Sequence, residues 1–278
     1  MTAAVEWNNM QLSRRDMAAS LALGFVGKEV RIAETNVEVK TADGICDADF
    51  FYPAKGSHPG VLIWHDSLGS RPAIRELGRR MAREGYAVLA PNLFYRTARV
   101  PVFDDSFDYA KNPADREKYG RIVKPFLEPG AAERDAVAYV SFLDAQRQVN
   151  RKRKIGTHGY CLGGPYVLKA AAALPDRVGA GASFHGGFLV TGKPDSPHLL
   201  APKIKARLYF AIASDDDRRE PDVKDQLEAA FRTARVRSEI EVYPNALHGW
   251  CVPDSKAVNQ ADADRAWGKL VKLYKTAL

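Results

Sequence analysis

Apolar residues along the chain follow two alternating periods. From residue 37 onward, short β-rich runs alternate with segments whose apolar positions recur every three or four residues. That alternation predicts an α/β fold, a mostly parallel sheet with helices on both faces. Val37–Thr41 and Cys46–Tyr52 read as the first two strands, joined at Ala42-Asp43-Gly44 as an antiparallel N-terminal hairpin. Val61-Leu62-Ile63-Trp64 is apolar throughout, as expected of a strand buried on both faces. Ser70 is placed to cap the next helix and Pro72 suits its first turn. Ile74, Leu77 and Met81 then supply one apolar stripe, which Gly85 ends. Tyr86–Ala90 is the following strand, stopped at Pro91.

Residues 97–130 break the rhythm with scattered Pro, Asp and Lys, and read as an insertion at the rim that partly caps it. Helical spacing returns over Ala131–Gln146 through Val137, Val140 and Leu143. Lys154–His158 is a short strand and Gly163–Leu174 a small-residue helix. Val178–Phe184, Leu208–Ala213 and Ile240–Tyr243 complete the strands, with a helix over 222–233. Trp267, Leu270, Val271 and Tyr274 mark the inward stripe of a C-terminal helix. Without an internal repeat or a linker, residues 31–278 read as one domain.

Composition narrows the class. Apolar residues make up 46% of the chain and charged residues 27%, which excludes disorder and a polytopic membrane protein. No run reaches the ~18 apolar residues that a membrane span needs. The net charge of +7 is dispersed, apart from Arg151-Lys152-Arg153-Lys154 and the group Arg75, Arg79, Arg80 and Arg83. No aromatic interleaving accompanies these groups, so nucleic acid is not an expected partner. Three cysteines, Cys46, Cys161 and Cys251, cannot build a disulfide framework and point to a reducing compartment or a reactive thiol. Residues 13–27 place Arg14-Arg15 before a short apolar run. Residues 1–30 therefore read as a helical appendage or a degenerate twin-arginine signal. The expected location is the cytoplasm, with the periplasm or secretion as the alternative.

The most informative stretch is Gly159-Tyr160-Cys161-Leu162-Gly163-Gly164, between a predicted strand and a predicted helix. This is a nucleophile elbow with Cys in place of Ser. The turn is so tight that only Gly fits two positions before and two after the nucleophile. It holds the thiol beside a helix N-terminus, where partial positive charge favours an anion. The N–H of Leu162 points where an oxyanion would form. A nucleophile needs a base and the base an orienting acid, which on such a scaffold follow in the order nucleophile, acid, His. His248 follows the last strand and is the expected base. Asp215-Asp216-Asp217 follows the strand before it, and Ala213, three positions earlier, favours Asp216. Asp215 and Asp217 stay open. The other histidines show no paired metal-ligand spacing, and neither metal nor cofactor is expected.

These residues resemble the dienelactone hydrolase family of α/β-hydrolases over roughly residues 37–278. In that family an acidic residue after the third strand interacts with the resting cysteine, and Trp64-His65-Asp66-Ser67-Leu68-Gly69 stands in its place. The resemblance implies that Asp66 modulates the thiol and that Ser67 offers the second oxyanion N–H. The family also holds a substrate carboxylate with an arginine after the fourth strand, which implies that role for Arg96 in Asn92-Leu93-Phe94-Tyr95-Arg96. Tyr160, within the elbow, joins Asp66 and Arg96 as a residue expected to bind substrate or modulate the thiol. No arginine follows His248, where dienelactone-cleaving members have a second basic group. The implied activity is cleavage of a small ester or lactone through a cysteinyl thioester, by a monomer or homodimer. Two other readings of Cys161 stay open: a redox thiol with Cys251 as its resolving partner, and a non-catalytic ligand-binding protein.

Overall fold

A computed structural model describes residues 30–278 of the chain, so the reading of residues 1–30 lies largely outside the described residues. The elements run in chain order as β1 (Ile32–Thr41), β2 (Gly44–Pro53), β3 (Gly60–Trp64), α1 (Pro72–Arg83), β4 (Ala87–Pro91), α2 (Pro113–Leu127) and α3 (Ala131–Ala145). They continue as β5 (Ile155–Tyr160), α4 (Gly164–Ala173), β6 (Val178–Phe184), β7 (Arg207–Ala213), α5 (Ser214–Arg219), α6 (Val223–Thr233), β8 (Ser238–Tyr243) and α7 (Gln260–Ala277). One eight-stranded sheet carries them in the order β1-β2-β4-β3-β5-β6-β7-β8. The hairpin closes as expected, with Thr41 opposite Gly44, and β2 runs antiparallel to β4. Every other pairing is parallel. This is the α/β-hydrolase fold.

The apolar runs become buried strands because both faces of the sheet are covered. Along β3, Val61 and Ile63 face the side covered by α1 and α7, while Leu62 and Trp64 face α3 and α4. The α1 stripe of Ile74, Leu77 and Met81 is buried as its spacing predicts. Each such side chain contributes about 2 kcal/mol on burial. Ser70 does not cap α1. The cap position is Arg71, which makes no capping side-chain hydrogen bond, although Pro72 does open the helix.

The rim insertion contains a helix that its composition concealed. Helix α2 turns only Val123 and Phe126 fully inward and carries Pro125 near its end, so no apolar stripe marks it. Its start is nonetheless written locally: Asn112 accepts a hydrogen bond from Ala114 N–H, and Pro113 follows.

Two buried histidines hold the frame together as neutral rings. His65 accepts the Leu93 N–H at Nε2, 3.0 Å, and donates from Nδ1 to the Asp66 carbonyl, 2.7 Å, tying the loop after β3 to the loop after β4. His158 pairs with the Tyr274 hydroxyl of α7 at 2.9 Å. Burial lowers His65 to about 4 and His158 to about 3. Below the ordinary histidine range of ~6.5 the unfolded chain binds protons that these folded rings refuse, so stability falls as pH is lowered. The loss is about 2 kcal/mol per histidine at pH 5. Scanning calorimetry should accordingly find Tm lower at pH 5 than at pH 7 by about 10 °C.

Candidate active site

β5 ends at Tyr160, and the next residue turns sharply. Cys161 has φ of +50°, a left-handed backbone for a non-glycine residue, and a strain of ~1–3 kcal/mol that surrounding structure must offset. The two expected glycines permit this. A Cβ on Gly159 would fall onto the Gly163 carbonyl, and one on Gly163 onto the carbonyls of Trp64 and His65. The end of β3 therefore lies directly against the elbow, and α4 begins at Gly164 after one 3-10 turn.

The three consecutive aspartates have three different partners. Asp216 Oδ2 accepts from His248 Nδ1 at 2.7 Å, and its Oδ1 from Arg219 at 2.9 Å. Asp215 Oδ1 accepts the backbone N–H of His248 at 2.9 Å, fixing the loop rather than the ring. Asp217 pairs outward with Lys224 at 2.7 Å. Helix α5 makes this division, because successive residues on a helix point about 100° apart. Burial disfavours the charged form of His248, but the hydrogen bonds to Asp216 and Cys161 outweigh it and raise the ring to about 10.

His185 is the residue the sequence reading missed. Sγ of Cys161 and a ring nitrogen each of His185 and His248 lie within 4.8 Å of one another. His185 is buried, and burial first, then the neighbouring His248, holds its pKa well below the usual histidine range. Neither of its ring nitrogens has a hydrogen-bond partner among the described residues. Its backbone is also left-handed, with φ of +40°. No spacing rule flags a lone histidine, but the parallel register does. Tyr160 sits opposite Phe184, so the residues that follow them, Cys161 and His185, emerge side by side.

The loop after β3 supplies Ser67, whose hydroxyl meets Tyr109 of the rim insertion at 3.1 Å. Tyr109 stacks on Tyr119 at 4.7 Å, and Phe103 stacks on Phe107 at 3.9 Å, so the insertion brings an aromatic wall to this loop. Among the described residues no hydrogen bond joins Asp66 to the thiol. Its carboxylate is held by the Leu68 N–H at 2.9 Å and by two Arg71 nitrogens at 2.7 and 2.9 Å. Arg71 in turn grips Asp254, beyond His248, at 2.7 and 2.8 Å. The Asp66 carboxylate is therefore aimed at the guanidinium.

Tyr160 and Arg96 also lie elsewhere than expected. The Tyr160 ring is fully buried and stacks on Phe184 at 5.2 Å, because alternation along β5 turns it into the core. Arg96 donates to both oxygens of Asp135 at 2.8 Å and also to Asp43. Asp135 is 1% exposed, so this cation neutralises a buried carboxylate rather than a substrate. Arg96→Ala should then lower stability by about 3 kcal/mol or more, as when one partner of a buried ion pair is removed. Chemical denaturation measures this, and KM for charged and neutral substrates should change alike. Of the other thiols, burial pushes Cys46 up to about 12 and raises Cys251 further, which leaves neither poised as a nucleophile.

Residues 46–278 match the model of the dienelactone hydrolase family. The chain belongs to the dienelactone hydrolase family. A relative from Synechocystis sp., provisionally named carboxymethylenebutenolidase, is 28% identical over 228 residues, spanning 81% of this chain and 89% of its own. Protein usf of Aquifex pyrophilus is 26% identical over 242 residues, 85% of this chain and 96% of its own. Among solved structures, a dienelactone hydrolase-like promiscuous phosphotriesterase from metagenomic libraries has a TM-score of 0.71 at 22% identity, covering 88% of this chain and 98% of that one. That likeness bears on fold alone. Family membership supports a hydrolase. Among the described residues no helix is long and apolar enough to cross a membrane.

Proposed function

We propose that this chain hydrolyses a carboxylic ester or lactone through a cysteinyl thioester. One observation carries the reading: a strained elbow cysteine shares its immediate surroundings with a histidine whose far nitrogen is held by a carboxylate at 2.7 Å. That is the arrangement of nucleophile, base and orienting acid. The proton of the Cys161–His248 pair rests on Nε2, and Sγ attacks the substrate carbonyl. The tetrahedral oxyanion rests on the N–H groups of Leu162 and Ser67. Collapse expels the alcohol oxygen, which takes the proton back from Nε2. Water, deprotonated by the same nitrogen, then cleaves the thioester, releasing the acid and restoring the thiol. Oxyanion donors of this kind contribute ~3 kcal/mol each to lowering the barrier.

The aromatic wall of Phe103, Phe107, Tyr109 and Tyr119 favours substrates with an apolar or aromatic acyl part. With Arg96 engaged by Asp135, the carboxylate clamp of dienelactone-cleaving members is not reproduced at that position. The test is incubation with p-nitrophenyl acetate, with a thiol-blocked parallel, followed by mass spectrometry. An acetyl adduct on Cys161 and loss of turnover after blocking are expected. Turnover that survives the block, with no adduct, overturns the reading.

A further inference from the structure

Hydrolysis as proposed uses Cys161, His248 and Asp216 and leaves His185 with nothing to do. Yet His185 is the most unusual side chain near the thiol. It is buried, held in a left-handed backbone, and without a partner at either ring nitrogen among the described residues. Its donor atom, Sγ of Cys161 and a ring nitrogen of His248 lie within 4.8 Å of one another. We propose that Cys161, His185 and His248 form a three-ligand site for a thiophilic divalent transition metal of the Zn2+ class, and that its occupancy switches the hydrolase off.

The donor chemistry favours that class. One thiolate and two imidazoles suit Zn2+ and its neighbours, whereas Mg2+ and Ca2+ require oxygen ligands. Three protein ligands with a fourth position open to solvent are an ordinary zinc arrangement. Tetrahedral bonding places such donors about 3.5 Å apart, so closing from the present spread needs shifts of roughly 1 Å, within reach of side-chain torsions. Asp216 already holds Nδ1 of His248 at 2.7 Å, which leaves Nε2 for a metal and supplies the carboxylate–histidine support common behind zinc ligands. Cys161 and His248 are each partly exposed, so an ion can reach them from solvent, whereas His185 is buried behind them. On binding, the proton of the Cys161–His248 pair passes to solvent, and Sγ and Nε2 each donate a lone pair to the metal. The nucleophile and base are then both occupied. The loss of activity rests on the function proposed above, but binding itself does not.

The experiment uses the full chain, with Zn2+ and Co2+ as probes and no substrate in the binding arm. One Zn2+ per chain is expected by competition with a chromogenic chelator, and Co2+ should develop a thiolate-to-metal charge-transfer band. Cys161→Ser should abolish the band. His185→Asn should weaken Zn2+ binding ~10-fold or more. Asn tolerates the left-handed backbone there, so this variant suits a comparison at matched folding. X-ray absorption of Zn2+-loaded wild type should find one sulfur and two imidazoles, which tests the ligand set without any substitution. In the activity arm, the ratio of rates with and without Zn2+ is compared in wild type and in His185→Asn: Zn2+ should inhibit wild type at concentrations that spare the variant, and full turnover by Zn2+-loaded wild type overturns the switch. No binding, affinity unchanged in His185→Asn, or a spectrum with one imidazole overturns the site. Binding as described by a chain that hydrolyses no ester would instead overturn the proposed function and leave the metal site standing.

Discussion

Cys161→Ala is expected to reduce kcat for ester hydrolysis by ~10³-fold or more, the scale on which loss of a nucleophile acts in such triads. The chain should otherwise stay intact. The substitution keeps the Cβ that the elbow already accommodates at φ of +50°, and removes only a partly exposed sulfur. Circular dichroism should therefore be unchanged while turnover collapses, which separates a chemical role from a folding one. A variant that still turns over at near wild-type rate would remove Cys161 from the chemistry.

Asp216→Asn is also expected to act strongly, with a loss of about 10³–10⁴ in kcat. The amide keeps the shape but turns its donor or its weaker acceptor toward Nδ1, so the ring loses the tautomer that directs a basic Nε2 at the thiol. Its two neighbours make the test internal. Asp215→Asn retains an amide oxygen that can still accept the His248 backbone N–H, and should lose little. Asp217→Asn breaks an ion pair with Lys224 on a partly exposed surface, worth ~1 kcal/mol or less. Steady-state kinetics on the three variants ranks them. Greater damage from Asp215→Asn or Asp217→Asn would reassign the orienting acid.

The legible parts of this molecule are those where a residue type admits one geometry. Gly159 and Gly163 have no alternative in so tight a turn, and they announced the elbow. The order of elbow cysteine, aspartate run and histidine along the chain was readable too, because each follows its own parallel strand, whereas the three aspartates were separated only by their partners on α5. Charged side chains were less legible. Arg96 and Asp66 carry chemistry that serves a substrate or a neighbouring residue equally well, and only the fold reveals that Asp135 and Arg71 reach them first. Helix α2 was obscured by its single-sided contact, and His185 by needing the sheet register to be noticed at all.

The grip of Arg71 on both Asp66 and Asp254 has a consequence for motion. One segment leads to Ser67, the other follows His248, and in sequence they lie about two-thirds of the chain apart. One guanidinium between two carboxylates ties the segments, since parting them breaks two charge-assisted hydrogen bonds from Arg71 to Asp254. Local unfolding should thus take them together, as one cooperative unit rather than two loops that breathe independently. The region that would hold the oxyanion and the region that would move the proton would then gain and lose order together.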